Sequence, residues 1–162
     1  MNHVRLDRQL RLGDDALPFA FMTGELFDVL GQHSILKHSL VDPAAANAAA
    51  ELRAGVRHGR SIPLAAALFR VRTRQLLDKA PGASNRAFLS GVLLGSELAY
   101  LSGARSAGLP LVLCATAPLE APYRAALDEL GLTERLTLVP PADVELLSAR
   151  GQAVLWRNVA GF

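Results

Sequence analysis

The side chains able to do chemistry in this chain lie in four short runs. The first is a turn: Leu111-Val112-Leu113-Cys114 is a wholly apolar run, and Ala115-Thr116-Ala117-Pro118 leads from it into a helical pattern. Small residues at such a turn let a ligand approach the backbone. The free N–H groups of the helix start can bind polar ligand atoms. Open α/β sheets take ligands beyond the carboxyl ends of their strands. Ala115, Thr116 and Ala117 are therefore candidate ligand contacts, with an ordinary strand-to-helix turn as the plainer account. The second run, Leu89-Ser90-Gly91-Val92-Leu93-Leu94-Gly95-Ser96-Glu97, places Gly91 and Gly95 four apart, on one helical face. Glycine costs ~1 kcal/mol in a helix interior relative to alanine. Two on one face imply a close approach, by another backbone or by a ligand. Glu97 points well away from Gly91 on a helical wheel and should not share that contact.

The third run carries Arg70, Arg72 and Arg74 at alternate positions, as a phosphate clamp would. On a helix, however, Arg70 and Arg74 share a face while Arg72 points elsewhere, so the three cannot meet one phosphate. Solvated helix charges, one of them paired internally, explain them better. The fourth is Thr23-Gly24-Glu25. Thr23 can cap a helix, and Glu25 in the first turn suits the positive end of the dipole.

Other chemistries find little support. His3, His33, His38 and His58 make no metal pattern; His33 and His38 are five apart, where two ligands on one helical face need four. No Ser-His-Asp arrangement is readable, and Glu25 with Asp28 reads as surface carboxylates. Cys114 is the single cysteine, which excludes an intrachain disulfide and multi-cysteine zinc sites. Inside a strand buried on both faces it would be an inert small hydrophobe. A net charge of +2 is too balanced to argue for nucleic acid. No run approaches the ~18 apolar residues of a membrane-spanning helix. Met1 to Leu10 holds Arg5, Asp7 and Arg8 and lacks the apolar stretch of a signal peptide, so the cytoplasm is expected.

These runs need elements to position them. Composition is globular, 51% hydrophobic against 20% charged, and 162 residues suit one compact domain. Residues 3–12 alternate loosely and predict a short strand or hairpin. A helix follows from Thr23, ending near Gly31, with a short helical piece or loop from His33 to Leu40. Asp42-Pro43 opens an alanine-rich helix that Gly59 stops. Ser61 and Pro63 open another, ended by Pro81-Gly82, and Asn85 to about Ala104 is the next. The period then changes. Leu111–Cys114 and Leu136–Val139 read as strands, with a helix from Leu119 to Leu130 between them. Pro141 starts a last helix with a possible break at Gly151, packed through Trp156. Such a β-α-β-α unit has parallel strands. The fold class is α/β, helix-rich, with a small sheet and flanking helices.

The run Met22-Thr23-Gly24-Glu25-Leu26-Phe27, followed by His33-Ser34-Ile35-Leu36, resembles a signature of the 2-dehydro-3-deoxygalactonokinase family. The Ser90-Gly91-x-Leu93-x-Gly95-x-Glu97 run and the arginine run are similar to further family segments. The resemblance extends from about Phe21 to Ala160. It implies an actin-like ATPase (ribonuclease H-like) fold, and phosphoryl transfer from ATP, with Mg2+, to the terminal hydroxyl of 2-dehydro-3-deoxy-D-galactonate in galactonate breakdown. It implies that the turn at Ala115, Thr116 and Ala117 faces the adenosine, although Cys114 and Ala115 stand where glycines are usual. It places the Gly91–Gly95 face beneath the nucleotide, and Thr23 and Gly24 near substrate or phosphate.

The family's Asp-x-Gly-Thr phosphate loop and its Pro-Gly-Thr-His-Ser-Lys-Trp segment have no counterpart here; no Gly-Thr dipeptide occurs. The catalytic carboxylate is therefore expected upstream. Residues 1–162 would be the C-terminal lobe alone, waiting for an N-terminal lobe or forming a homo-oligomer. The alternative is a stand-alone, non-catalytic domain that keeps the fold for binding or dimerisation.

Overall fold

The computed structural model describes residues 21–41, 48–102 and 108–160. The expected strand at residues 3–12 and the helix start at Asp42-Pro43 lie outside them. Helix α1 (Thr23–His33) runs through Gly31 into a 3-10 turn at Ile35–Ser39. Helices α2 (Ala48–Ser61), α3 (Leu64–Leu76) and α4 (Gly82–Leu98) follow. A unit of β1 (Leu111–Cys114), α5 (Ala117–Glu129) and β2 (Leu136–Val139) comes next, and α6 (Pro141–Ala160) is the last described element.

Helix α4 is the spine. Its residues are apolar on more than one face, as a helix enclosed by neighbours must be. Phe88, Leu89, Val92 and Leu93 join one buried cluster with Leu36, Leu40, Ala67 and Val71, against which Phe27 and Leu30 of α1 pack. Leu94 and Leu98 join a second with Leu52, Val56, Ala126, Leu127 and Leu132, which the strands cover through Leu111, Leu113 and Leu136.

Helices α2 and α4 touch backbone to backbone. A Cβ added to Gly91 would fall 2.0 Å from the Leu52 carbonyl oxygen, and one on Gly95 2.3 Å from that of Val56. From the other side, a Cβ on Gly59 would sit 2.0 Å from the Val92 oxygen and one on Gly55 2.2 Å from that of Phe88. Of the two readings of the Gly91–Gly95 face, the structure therefore shows the packing one. Helix α2 fills that face, and a ligand has no room beside either Cα.

The strands are parallel, with Leu111 opposite Leu136 and Cys114 opposite Val139. Their burial corrects the expectation of a strand covered on both faces. Leu111 and Leu113 point to the core, while Val112 is 52% exposed and Cys114 is exposed. The described helices cover one face of the pair, so the opposite period-2 positions meet solvent. Helix α6 differs from expectation too. It passes unbroken through Gly151, and Trp156 is 73% exposed instead of packed. Residues 151–158 are all exposed.

The arginine run divides as helical spacing dictates. Arg70 pairs with Asp78 at 2.9 Å, and Arg72 bonds Gln75 at 2.6 Å. Arg74 turns inward. Its guanidinium donates to Glu51 of α2 at 2.6 Å and to the fully buried Asn85 of α4 at 3.1 Å, and it lies 4.2 Å from the centre of the Phe88 ring. One side chain thus ties three helices.

His58 of α2 sits against the same ring, with centroids 5.7 Å apart, and its buried Nε2 has no hydrogen-bond partner among the described residues. Desolvation, helped by Arg70 and Arg74, holds the imidazole below its ordinary pKa. The fold therefore favours neutral His58, and the unfolded chain binds its proton at a higher pH. Stability should be full above the ordinary histidine range and fall as pH drops through it towards the lower folded value. Urea midpoints measured from pH 7.5 to 5 should decline in the wild type. They should decline less in His58→Phe; equal slopes would remove His58 as the cause.

Candidate functional site

Three elements meet over one side of α4. The amino end of α1 brings Thr23, Gly24, Phe27 and Asp28. Helix α4 supplies Ser90, Leu93 and Leu94, and the amino end of α5 brings Pro118, Leu119, Pro122 and Tyr123. Together they line a cavity of about 410 Å³. A second hollow of about 430 Å³ adjoins it, sharing Phe27, Ser90 and Pro122 and bordered by Arg86. The Arg86 guanidinium lies 4.9 Å from the centre of the Phe27 ring. The lining of the first cavity is mostly apolar with a few polar groups, the usual make-up of a small-molecule site.

A polar cluster holds this corner together. Thr23 was expected to cap α1, but Met22 occupies that position with no side-chain cap, and Thr23 opens the helix. Its hydroxyl instead donates to Glu97 Oε2 at 2.5 Å. From α5, the Tyr123 hydroxyl donates to both carboxylate oxygens, at 3.2 and 3.3 Å. Burial, and then the charge of Glu97, pushes the Tyr123 phenol up to about 12. Glu97 so joins α1, α4 and α5 from behind the cavity wall.

The turn residues stand at the edge of this site. Ala115 is buried, while Thr116 and Ala117 are exposed. The Thr116 carbonyl accepts the N–H groups of Leu119 and Glu120 at 2.9 and 3.0 Å. Pro118 and Leu119, the next two residues, reach the cavity. Thr23 and Gly24 line it directly, whereas Gly91 and Gly95 face α2. Sequence reasoning missed Tyr123, whose place on the first turns of α5 beside the Ala115-Thr116-Ala117 turn was the available signal. It had named Glu97 but given it no task. Placing it off the Gly91 face was correct, because Gly91 faces α2 and Glu97 faces α1 and α5.

Residues 18–149 match the family model described as 2-keto-3-deoxy-galactonokinase. The chain belongs to that family. It is 39% identical over 151 residues to a Rhizobium meliloti protein named "probable 2-dehydro-3-deoxygalactonokinase", a stretch covering 90% of this chain and 49% of that one. It is 33% identical over 111 residues to the 2-dehydro-3-deoxygalactonokinase of Escherichia coli, covering 68% and 37%. The crystal structure of a candidate 2-dehydro-3-deoxygalactonokinase from Sinorhizobium meliloti superposes with a TM-score of 0.69 at 36% identity, covering 86% of this chain and 46% of that one. The chain thus spans about half the length of the galactonokinases it matches, or less. Its helix-rich α/β architecture with a small parallel sheet is the one shared with the crystallised relative.

Proposed function

We propose that residues 1–162 form a single lobe, the C-terminal half of an ATP-dependent galactonokinase with an actin-like fold. The substrate of the whole enzyme is 2-dehydro-3-deoxy-D-galactonate, and this lobe provides the nucleotide side. The observation that carries the reading is a convergence. Two separated runs that resemble the family, Thr23-Gly24 and Ser90 to Glu97, meet the Pro118-Leu119 turn at one cavity. Stability alone does not require three distant motifs to open onto the same hollow; a shared ligand does.

Phosphoryl transfer is mainly positioning and charge stabilisation. In this lobe the apolar cavity would hold and orient a nucleotide and exclude water from it. Mg2+, when bound with the nucleotide, would neutralise phosphate charge; it takes one or two carboxylates beside the phosphates themselves, and among the described residues Asp28 brings a carboxylate to the cavity edge. Among the described residues no three His, Cys, Asp or Glu side chains gather to hold a metal. The hydroxyl-orienting carboxylate and the phosphate loops belong to an N-terminal lobe. Among the described residues no helix is long and apolar enough to cross a membrane.

Calorimetric titration of the chain with Mg-ATP, beside an ADP-release assay with 2-dehydro-3-deoxygalactonate, tests this. Binding without turnover is expected. Turnover by the chain itself would overturn the half-site reading, and absence of binding would overturn the nucleotide side.

A further inference from the structure

Helix α3 carries apolar residues on two opposite sides, and the described chain covers only one of them. Its inner stripe, Ala67 and Val71 with Leu64 and Leu68, packs into the cluster around α4. A surface helix ordinarily turns charged and polar residues outward from such a stripe. Here the outward side is Ala65, Ala66, Phe69, Thr73, Leu76 and Leu77. Phe69 stands about 200° round the helix from both Ala67 and Val71. It is 66% exposed, and Leu77 is 74% exposed. Thr73, the one polar member, donates its hydroxyl proton to the Arg70 carbonyl on its own helix at 3.1 Å, so it asks nothing of a partner. Arg70 and Arg72 flank the strip, and both are engaged within the chain, by Asp78 and by Gln75. A contiguous apolar strip of this kind marks a protein contact.

The order of sizes along the strip says what the contact is. Small residues, Ala65 and Ala66, occupy the amino end, and large ones, Leu76 and Leu77, the carboxyl end; Phe69 and Thr73 lie between. From Ala66 through Phe69 and Thr73 to Leu76 the steps are three, four and three residues, those of a coiled-coil seam. An isologous dimer requires a surface that matches itself after a half-turn. A two-fold axis across the middle of α3, between Phe69 and Thr73, lays the helix antiparallel on its copy. It sets Ala66 opposite the partner's Leu76, Ala65 opposite the partner's Leu77 and Phe69 opposite the partner's Thr73, large against small at each step. An unrelated polypeptide would need no such symmetry in the strip. With the stems of the flanking arginines, two copies would bury on the order of 1,000 Å², the lower limit for specific association. We propose that the outer face of α3 is a homodimer surface, on which a second copy of this chain docks antiparallel.

Sedimentation velocity of the 162-residue chain over a wide concentration range reads the association. A weak, reversible dimer is expected. Phe69→Glu and Leu76→Glu each place a carboxylate in the strip and should raise the dissociation constant about tenfold or more. Their urea midpoints should stay close to that of the wild type, since neither side chain belongs to a buried cluster. Trp156→Glu, on α6, is the control for a different exposed apolar surface and should dimerise as the wild type does. Disulfide trapping reads the register in a Cys114→Ser background, because Cys114 is exposed and would cross-link on its own. Ala66→Cys combined with Leu76→Cys should oxidise to a covalent dimer. Neither alone should, because like positions stand about 15 Å apart along an antiparallel pair.

A chain that stays monomeric at every concentration would overturn the proposal and leave the strip to a different polypeptide. So would a dimer that survives Phe69→Glu and Leu76→Glu, or one that is lost in Trp156→Glu. Trapping by either cysteine alone, or none by the pair, would overturn the antiparallel docking. None of these outcomes bears on Mg-ATP binding, so this proposal and the nucleotide reading fail separately.

Discussion

Gly91→Ala is expected to destabilise the chain by about 3 kcal/mol or more, against the usual sign of the substitution. In an exposed helix the added methyl normally gains ~1 kcal/mol, because alanine loses less backbone freedom than glycine. Here the new Cβ would lie 2.0 Å from the Leu52 carbonyl oxygen and 2.9 Å from the Gly55 Cα. Those are backbone atoms that no rotamer change can move. The two helices must separate, and both clusters that α4 anchors loosen with them. Total stabilities of such domains are ~5–15 kcal/mol, so this is a large share. Gly151→Ala is the control. Among the described residues nothing lies within 4 Å of its Cβ position on α6, and it should stabilise by about 0.5–1 kcal/mol. Urea unfolding followed by circular dichroism at 222 nm reads both. Equal midpoints for Gly91→Ala and wild type would mean that the α2–α4 contact is looser than it stands.

The same glycines show where the sequence was legible. Their i, i+4 spacing and the cost of glycine in a helix demanded a close neighbour, and that much could be read. Whether the neighbour was a helix or a ligand could not, because a single helix does not say what lies against it; the partner glycines sit some 35 residues away on α2. The order of helices and strands from α1 to α6 followed from periodicity, caps and prolines, all of which act locally. The parallel pairing followed too, since a helix-length crossover joins the two strands. Burial did not follow. Val112 and Cys114 form an apolar run with Leu111 and Leu113, and composition alone reads such a run as covered on both faces. Trp156 misled in the same way, because apolar character records what a side chain prefers to meet and not what meets it. At the site, Thr23 was found but assigned the wrong bond. A cap is the local use of its hydroxyl, and Glu97, 74 residues on, is a competitor that only the fold brings near.

Arg74→Met is expected to cost about 3 kcal/mol, most of it from what the substitution leaves behind. The arginine stem is replaced by a side chain of similar bulk, so the apolar contact with Phe88 survives in part. The guanidinium's bonds do not. Glu51, whose side chain is 25% exposed, is left as a half-buried carboxylate with no cation, and fully buried Asn85 loses the donor to its Oδ1. Arg74→Lys keeps the charge but gives up the planar fork, and a single ammonium cannot reproduce donation to Glu51 and Asn85 from separate nitrogens; about half the loss should return. The diagnostic variant is the double, Arg74→Met with Glu51→Met. If the cost comes chiefly from the stranded carboxylate, removing it should recover 1 kcal/mol or more, roughly the coupling seen between contacting charges. His58 gives an independent reading in the same protein. Arg74 is one of the charges depressing its pKa, so the imidazole should titrate higher in Arg74→Met, as followed by its ring-proton NMR shift. A strictly additive double variant and an unmoved His58 would together mean that α2, α3 and α4 are joined by their apolar faces alone, with the arginine as a passenger.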